Sequence, residues 1–146
     1  MPSITPFLWF DSSAQEAMTF YTEIFPSTRV ISSSPMSVEF ELQGQKFYGM
    51  GGGKHVKFSE AVSLFVGCET QDEIDEYWTK LQADGGSPNR CGWLKDKFGV
   101  SWQVVPNALG RLLRSGDPAA SKRVMEAMLK MQKLEISELQ RAFDGA

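Results

Sequence analysis

The apolar positions of this chain recur with two periods, and each switch of period marks a new element. Ile4 to Phe10 is a short apolar and aromatic run that predicts a first strand. Ser13-Ala14-Gln15-Glu16 follows as a capping box, a serine and a glutamate placed to satisfy free amides at a helix start. Ala17, Phe20, Tyr21 and Ile24 then fall on one helical stripe, and Pro26 ends it. Ser32 to Pro35 reads as a loop. Val38 to Leu42 alternates apolar residues with Glu39 and Glu41, the pattern of a half-exposed strand. Gly44-Gln45 supplies the turn, and Lys46 to Met50 returns as the hairpin partner.

The same order of elements then starts again. Ala61 to Gly67 predicts a strand, Thr70-Gln71-Asp72-Glu73 a second capping box, and Ile74, Tyr77, Trp78 and Leu81 a second helical stripe ended by Gly85-Gly86. One constant offset carries Ser13 onto Thr70, Glu16 onto Glu73, Ala17 onto Ile74, Phe20-Tyr21 onto Tyr77-Trp78, and Ile24 onto Leu81. A cap, an aromatic pair and two aliphatic positions in register identify a duplicated strand–helix–strands unit. Gly51 to Ser59 is the joint between the copies.

The second copy closes on the stretch 91–106, Cys-Gly-Trp-Leu-Lys-Asp-Lys-Phe-Gly-Val-Ser-Trp-Gln-Val-Val-Pro. Asp96 to Gly99 is turn chemistry, so Trp93 and Leu94 belong to an incoming strand and Trp102 and Val104 to an outgoing one. By the period of two, Val100, Trp102 and Val104 share the core-packing face, which leaves Ser101, Gln103 and Val105 on the other. Gln103 is thus a polar residue in mid-strand that faces solvent or a cavity. Beyond Pro106 the pattern is helical: Ala108 to Leu113, then an Asp117-Pro118 start leading into an apolar stripe across Lys122 to Leu134, then a short helix capped by Ser137.

Composition narrows the functional classes without choosing among them. The chain has 146 residues, 42% of them hydrophobic and 23% charged, as expected of one globular domain. A net charge of −3 with no basic face gives no electrostatic case for nucleic acid or an anionic membrane. No apolar run reaches membrane-spanning length. The opening Met-Pro-Ser-Ile-Thr-Pro carries neither a basic region nor an apolar leader, so the expected compartment is the cytoplasm, with Cys68 and Cys91 as reduced thiols.

Few residues carry chemistry. His55, the single histidine, lies in the glycine joint, and histidine is the residue type most often used as a general base. The run Gly49-Met50-Gly51-Gly52-Gly53-Lys54 matches neither a P-loop nor a dinucleotide fingerprint, because Lys54 is followed by His55 and the third glycine is missing in either GxGxxG register. It reads as a flexible crossing. Cys91 stands near Lys95 and Lys97, the setting for a reactive thiol or simply a small buried hydrophobe. Phe7, Trp9, Phe47, Trp93 and Trp102 have the apolar character of a small-molecule pocket, or of core packing alone. Ser101 and His55 have no local arrangement that would make them a nucleophile–base pair.

A duplicated βαβββ arrangement resembles the vicinal oxygen chelate superfamily, and within it the PhnB-like family labelled 3-demethylubiquinone-9 3-methyltransferase-like. Ile4 to Asp11, Glu16-Ala17-Met18, Phe20-Tyr21, Phe25-Pro26, Phe58 to Ser63, Asp75, Trp78, Cys91 to Asp96, Trp102-Gln103 and Val124 to Met131 carry the resemblance. It implies an α+β glyoxalase/bleomycin resistance fold: a single domain with a first βαβββ module at 1–57, a second at 58–108, and a C-terminal helical extension at 109–146. It also implies curled sheets around a cavity in a homodimer. Metal-using relatives place His or Glu on the first and last strands of each module. The predicted first, fourth and fifth strands here hold neither, and Gln103 stands where the last Glu would be. The expectation is therefore a protein with no metal and no cofactor that binds a small organic molecule through Phe7, Trp9, Phe47, Cys91, Trp93 and Ser101. The alternative is an enzyme on a small polar substrate, the methyltransferase label included, with Gln103 orienting the substrate and His55 moving a proton.

Overall fold

The computed structural model describes all residues, 1–146, and contains two compact units, 1–58 and 59–146. The first carries β1 (Phe7–Trp9), α1 (Ala14–Ile24), β2 (Thr28–Ser33), β3 (Ser37–Leu42) and β4 (Gln45–Met50). The second carries β5 (Leu64–Cys68), α2 (Gln71–Leu81), β6 (Ser87–Pro88), β7 (Trp93–Lys95) and β8 (Ser101–Pro106), followed by α3 (Asn107–Leu113), α4 (Pro118–Met128) and α5 (Ile136–Asp144). The strand orders are β1-β4-β3-β2 and β5-β8-β7-β6, so the duplicated βαβββ unit is present in both copies with identical topology. In each, the first strand pairs in parallel with the last, and the remaining pairs are antiparallel.

Both helices start where the caps place them. Thr70 makes the full box: its hydroxyl accepts from the Glu73 amide, and the Glu73 carboxylate accepts from the Thr70 amide, at 3.2 Å each. At Ser13 the hydroxyl accepts from the Glu16 amide and donates its own proton to the Gln15 Oε1, a one-armed cap rather than a full box. The stripe of α1 buries Ala17, Tyr21 and Ile24 against Phe40 and its neighbours, with Tyr21 stacked on Phe40 and Phe40 on Phe47. Ile74 and Leu81 of α2 are buried in the same way, and α2 packs on β8, β7 and β5.

Several boundaries differ from the sequence reading, each for a physical reason. The first strand begins at Phe7 because Ile4 is fully exposed and makes no sheet partner. The fifth begins at Leu64 because Ser59 folds 59–62 into a turn, its hydroxyl accepting from the Ala61 amide and its carbonyl from Val62. Ser32 and Ser33, read as loop, lie in β2, an exposed edge strand bulged between Val30 and Ser32 that never shows a buried face. β6 is two exposed residues long and has no periodicity to read. The α4 helix stops at Met128 because the carbonyls of Met131 and Gln132 are taken by the amides of Cys91 and Gly92, which pulls 130–134 out of the helix. Ser137 is not a cap. Helix α5 starts at Ile136, whose amide donates to the Gln71 Oε1, while Gln71 Nε2 donates to the Leu134 carbonyl.

The three C-terminal helices pack on one another and on β8. Val105, Leu109, Leu112, Val124, Leu134 and Leu139 form their core. Arg123 reaches across to the carbonyls of Ala142 and Phe143 and satisfies the end of α5, where Gly145 takes the left-handed conformation.

Candidate functional site

The β7–β8 hairpin is fixed by one carboxylate. Asp96, 3% exposed, accepts from the amides of Phe98 and Val100 through Oδ1 and from the Trp102 indole through Oδ2, at 2.8–3.0 Å. Gly99 closes the turn at φ +89°. With its indole tied back to the turn, Trp102 lies on the buried, α2-facing side with Val104 and Leu94, as the alternation predicted. Ser101 and Gln103 are left on the opposite face, where the register sets Lys95 beside Ser101 and Trp93 beside Gln103. That face is not uniformly open. Val105, at its far end, is buried under the C-terminal helices.

At the near end lies a cleft of about 270 Å³. Its walls include Cys91, Trp93 and Ser101, so three of the residues expected to bind a ligand are brought together. The sequence reading missed Glu60, Arg90 and Lys95 as further wall residues. Lys95 was within reach of it, because it alternates with Trp93 and so shares its face. Glu60 was not, since only folding brings the turn before β5 to β7, where its carboxylate meets the Lys95 ammonium at 2.5 Å.

Cys91 enters the cleft from a strained backbone. Its φ of +59° is a left-handed conformation that costs a non-glycine residue roughly 1–2 kcal/mol. It is held there by the hydrogen bond its amide donates to the Met131 carbonyl and by the neighbouring Gly92, where a Cβ would lie 2.8 Å from the Val104 carbonyl oxygen. The other thiol, Cys68, is buried at the end of β5, and burial pushes it up to about 11, with the Glu73 carboxylate adding to the effect.

Gln103 lies beside the cleft walls and is partly committed. Its amide nitrogen donates to the Ser63 hydroxyl at 2.9 Å, while its side-chain oxygen has no protein partner. His55 is exposed on the turn after the glycines and makes no hydrogen bond. It belongs to the first unit, Gln103 to the second.

In the first unit, Phe7 and Trp9 lie on the sheet face away from α1, with Tyr48 next to Phe7 at 6.2 Å between ring centres. Phe47 does not join them. It points to the helix side, 5% exposed and stacked 5.5 Å from Phe40, because the period of two along β4 separates it from Tyr48. The glycine run is not a loose crossing either. Gly52 and Gly53 donate to the carbonyls of Ser12 and Phe10, and a Cβ on Gly53 would lie 2.7 Å from the Trp9 indole nitrogen. The glycines are there so that backbone and Trp9 can approach.

Register also locates the strand positions at which the sequence resemblance leads one to look for metal ligands. Tyr48 pairs with Phe7 on the last strand of the first unit, and Gln103 pairs with Phe65 on the last strand of the second. Neither residue is the imidazole or carboxylate donor that a zinc site is built from. In neither unit do three His, Cys, Asp or Glu side chains converge.

Comparison with known proteins gives the chain its relatives. Residues 2–105 match the family model described as 3-demethylubiquinone-9 3-methyltransferase. The match ends before α3, so Val124 to Met131 fall outside it. A PhnB protein of Bacillus cereus, provisionally named for the same methyltransferase, is 35% identical over 72% of this chain and 99% of its own, with a TM-score of 0.63. The protein PA1353 of Pseudomonas aeruginosa (18% identity, 73% and 98% covered, TM-score 0.57) and a glyoxalase-related enzyme of Fulvimarina pelagi (13%, 75% and 91%, 0.52) are similar in fold. No curated protein matches.

Proposed function

Since the chain belongs to the PhnB-like, 3-demethylubiquinone-9 3-methyltransferase family of the vicinal oxygen chelate superfamily, we propose that it binds a small organic molecule, without a metal, in the cleft of its second βαβββ module. The observation that carries this reading is the gathering of Trp93, Ser101 and Cys91 around one open space, with Gln103 on the same sheet face. Small-molecule sites combine an apolar wall with a few fixed polar groups. Trp93 supplies the wall. Ser101 is 3% exposed and its hydroxyl has no hydrogen bond within the protein. No fully enclosed polar side-chain atom lacks a partner, so that hydroxyl keeps its access to the cleft.

Phe7 and Trp9 form a second aromatic surface on the first module, and a homodimer is the proposed assembly. Gln103 acts as an orienting acceptor through its free side-chain oxygen rather than as a donor, because its nitrogen is held by Ser63. His55 has no geometry that gives it a proton-transfer role in this reading.

The test is a thermal-shift screen of small aromatic and polar compounds against the metal-stripped protein. A hit should raise the melting temperature and should shield Cys91 from alkylation, and Trp93→Ala should lose both effects. If every hit needs an added divalent cation, the reading fails.

A further inference from the structure

We infer that the cleft in the second module takes a small carboxylate, and that Glu60 occupies the carboxylate's place on Lys95 when no ligand is bound. This rests on the reading of the cleft as a ligand site and names the chemistry it selects. Two cationic side chains, Arg90 and Lys95, line the same space. Arg90 has no acidic partner, and Lys95 has one, Glu60.

The Glu60–Lys95 pair is not built like a structural salt bridge. Glu60 sits on the turn made by Ser59, its side chain 61% exposed, and its carboxylate makes no second contact. Exposed pairs of this kind contribute little to stability, so exchanging one carboxylate for another on Lys95 has a small cost. A ligand carboxylate would gain what Glu60 lacks. It would sit within the cleft beside the unpartnered Ser101 hydroxyl, with the Arg90 guanidinium as a second cation, while Trp93 covers the apolar part of the molecule. Charge-assisted hydrogen bonds to such groups are about twice as strong as neutral ones. The volume sets the size. About 270 Å³ lies at the small end for ligand pockets, enough for a single ring bearing one carboxylate.

The geometry also fixes the sign of each substitution. Removing the Glu60 charge removes an internal competitor, so affinity for a carboxylate should rise. Removing Lys95 removes the seat itself. A structural role for the pair would weaken binding in both variants or in neither.

The probes are benzoate and its neutral counterpart benzamide, titrated by calorimetry into the full-length protein, its Glu60→Gln and Lys95→Met variants, and Ser101→Ala. Benzoate should bind the wild type, bind Glu60→Gln several-fold more tightly, and lose about tenfold or more in Lys95→Met, the factor expected for one charged contact. Ser101→Ala should weaken benzoate in a protein whose circular dichroism is unchanged. Benzamide should bind weakly and respond to neither charge substitution. Equal binding of benzamide and benzoate would overturn the carboxylate assignment and leave the small-molecule reading standing. Benzoate affinity unchanged in Glu60→Gln would overturn the competitor role of Glu60. A cleft that binds neither probe and leaves Cys91 equally alkylated in their presence would end the inference, and the screen above then decides the broader reading separately.

Discussion

Asp96 shows how much one side chain can decide. Its carboxylate accepts two amides and an indole inside the hairpin turn, and those bonds set which face Trp102 takes and therefore which face Ser101 and Gln103 take. Asp96→Ala leaves three donors without an acceptor, those of Val100 and Trp102 buried and that of Phe98 part-buried, and the expected loss is about 3 kcal/mol or more by urea denaturation. The turn at Asp96 to Gly99 was legible because aspartate and glycine spacing is local chemistry; the bond to Trp102 was not, since nothing in the sequence says where an indole points. Cys68 makes a second case at this scale. Its thiol is held at about 11 by burial, against roughly 8.5 in an unfolded chain. A raised folded value means that the contribution to stability is complete below the unfolded value and disappears as pH rises towards the folded one. Stability should therefore decline between about pH 8.5 and 11, and Cys68→Ala should remove that part of the decline in pH-dependent melting curves. At neutral pH, iodoacetamide should modify Cys91 well before Cys68, as read by peptide mass spectrometry.

Elements are held at their ends by residues from elsewhere in the second unit. Gln71, on the first turn of α2, grips both the Leu134 carbonyl and the Ile136 amide, and Asp75, one turn on, pairs with Lys133 at 2.8 Å. The Lys133 bond, helped by Gln71, lowers the Asp75 carboxyl below its ordinary range; the Asp75 bond raises Lys133 above its own. The pair is thus intact from below the ordinary carboxylate range to above the ordinary lysine range. Its contribution is lost on the acid side as pH falls through the depressed Asp75 value, and on the alkaline side as pH passes the raised Lys133 value. Asp75→Asn should flatten the acid limb of the stability profile slightly, since both side chains are partly exposed and screened. Gln71→Ala should have the larger effect, speeding amide hydrogen exchange at Ile136. The helices themselves were legible from caps and stripes, and so was their duplication. Elements with no buried face to repeat, β2 and β6, were not, and neither was the end of α4, which is decided by amides of Cys91 and Gly92 far away in sequence.

For the whole molecule, the topology β1-β4-β3-β2 repeated as β5-β8-β7-β6 explains why the chain reads so plainly as one unit copied. The copies have diverged where chemistry would be carried. The last strands of the two units carry Tyr48 and Gln103, and neither is an imidazole or carboxylate donor. Incubation with a strong chelator should leave both the melting temperature and ligand-induced stabilisation unchanged. The candidate site was half readable: alternation along the outgoing strand put Ser101 and Gln103 on one face, while Trp93 and Phe47 were assigned by aromatic character alone, and Phe47 lies on the helix side of its own sheet. Glu60 and Arg90 come from loops, where no period constrains direction.

The lacing of Cys91 and Gly92 to Met131 and Gln132 has one more consequence. The matched family region stops at Val105, yet the strained residue in the wall of the cleft is kept in its conformation by carbonyls that lie beyond that point. The tail works as a buttress for the arch at Cys91. Cutting the chain after Pro106 should let the Cys91 segment relax to an ordinary backbone and slacken the cleft mouth, even where both sheets persist.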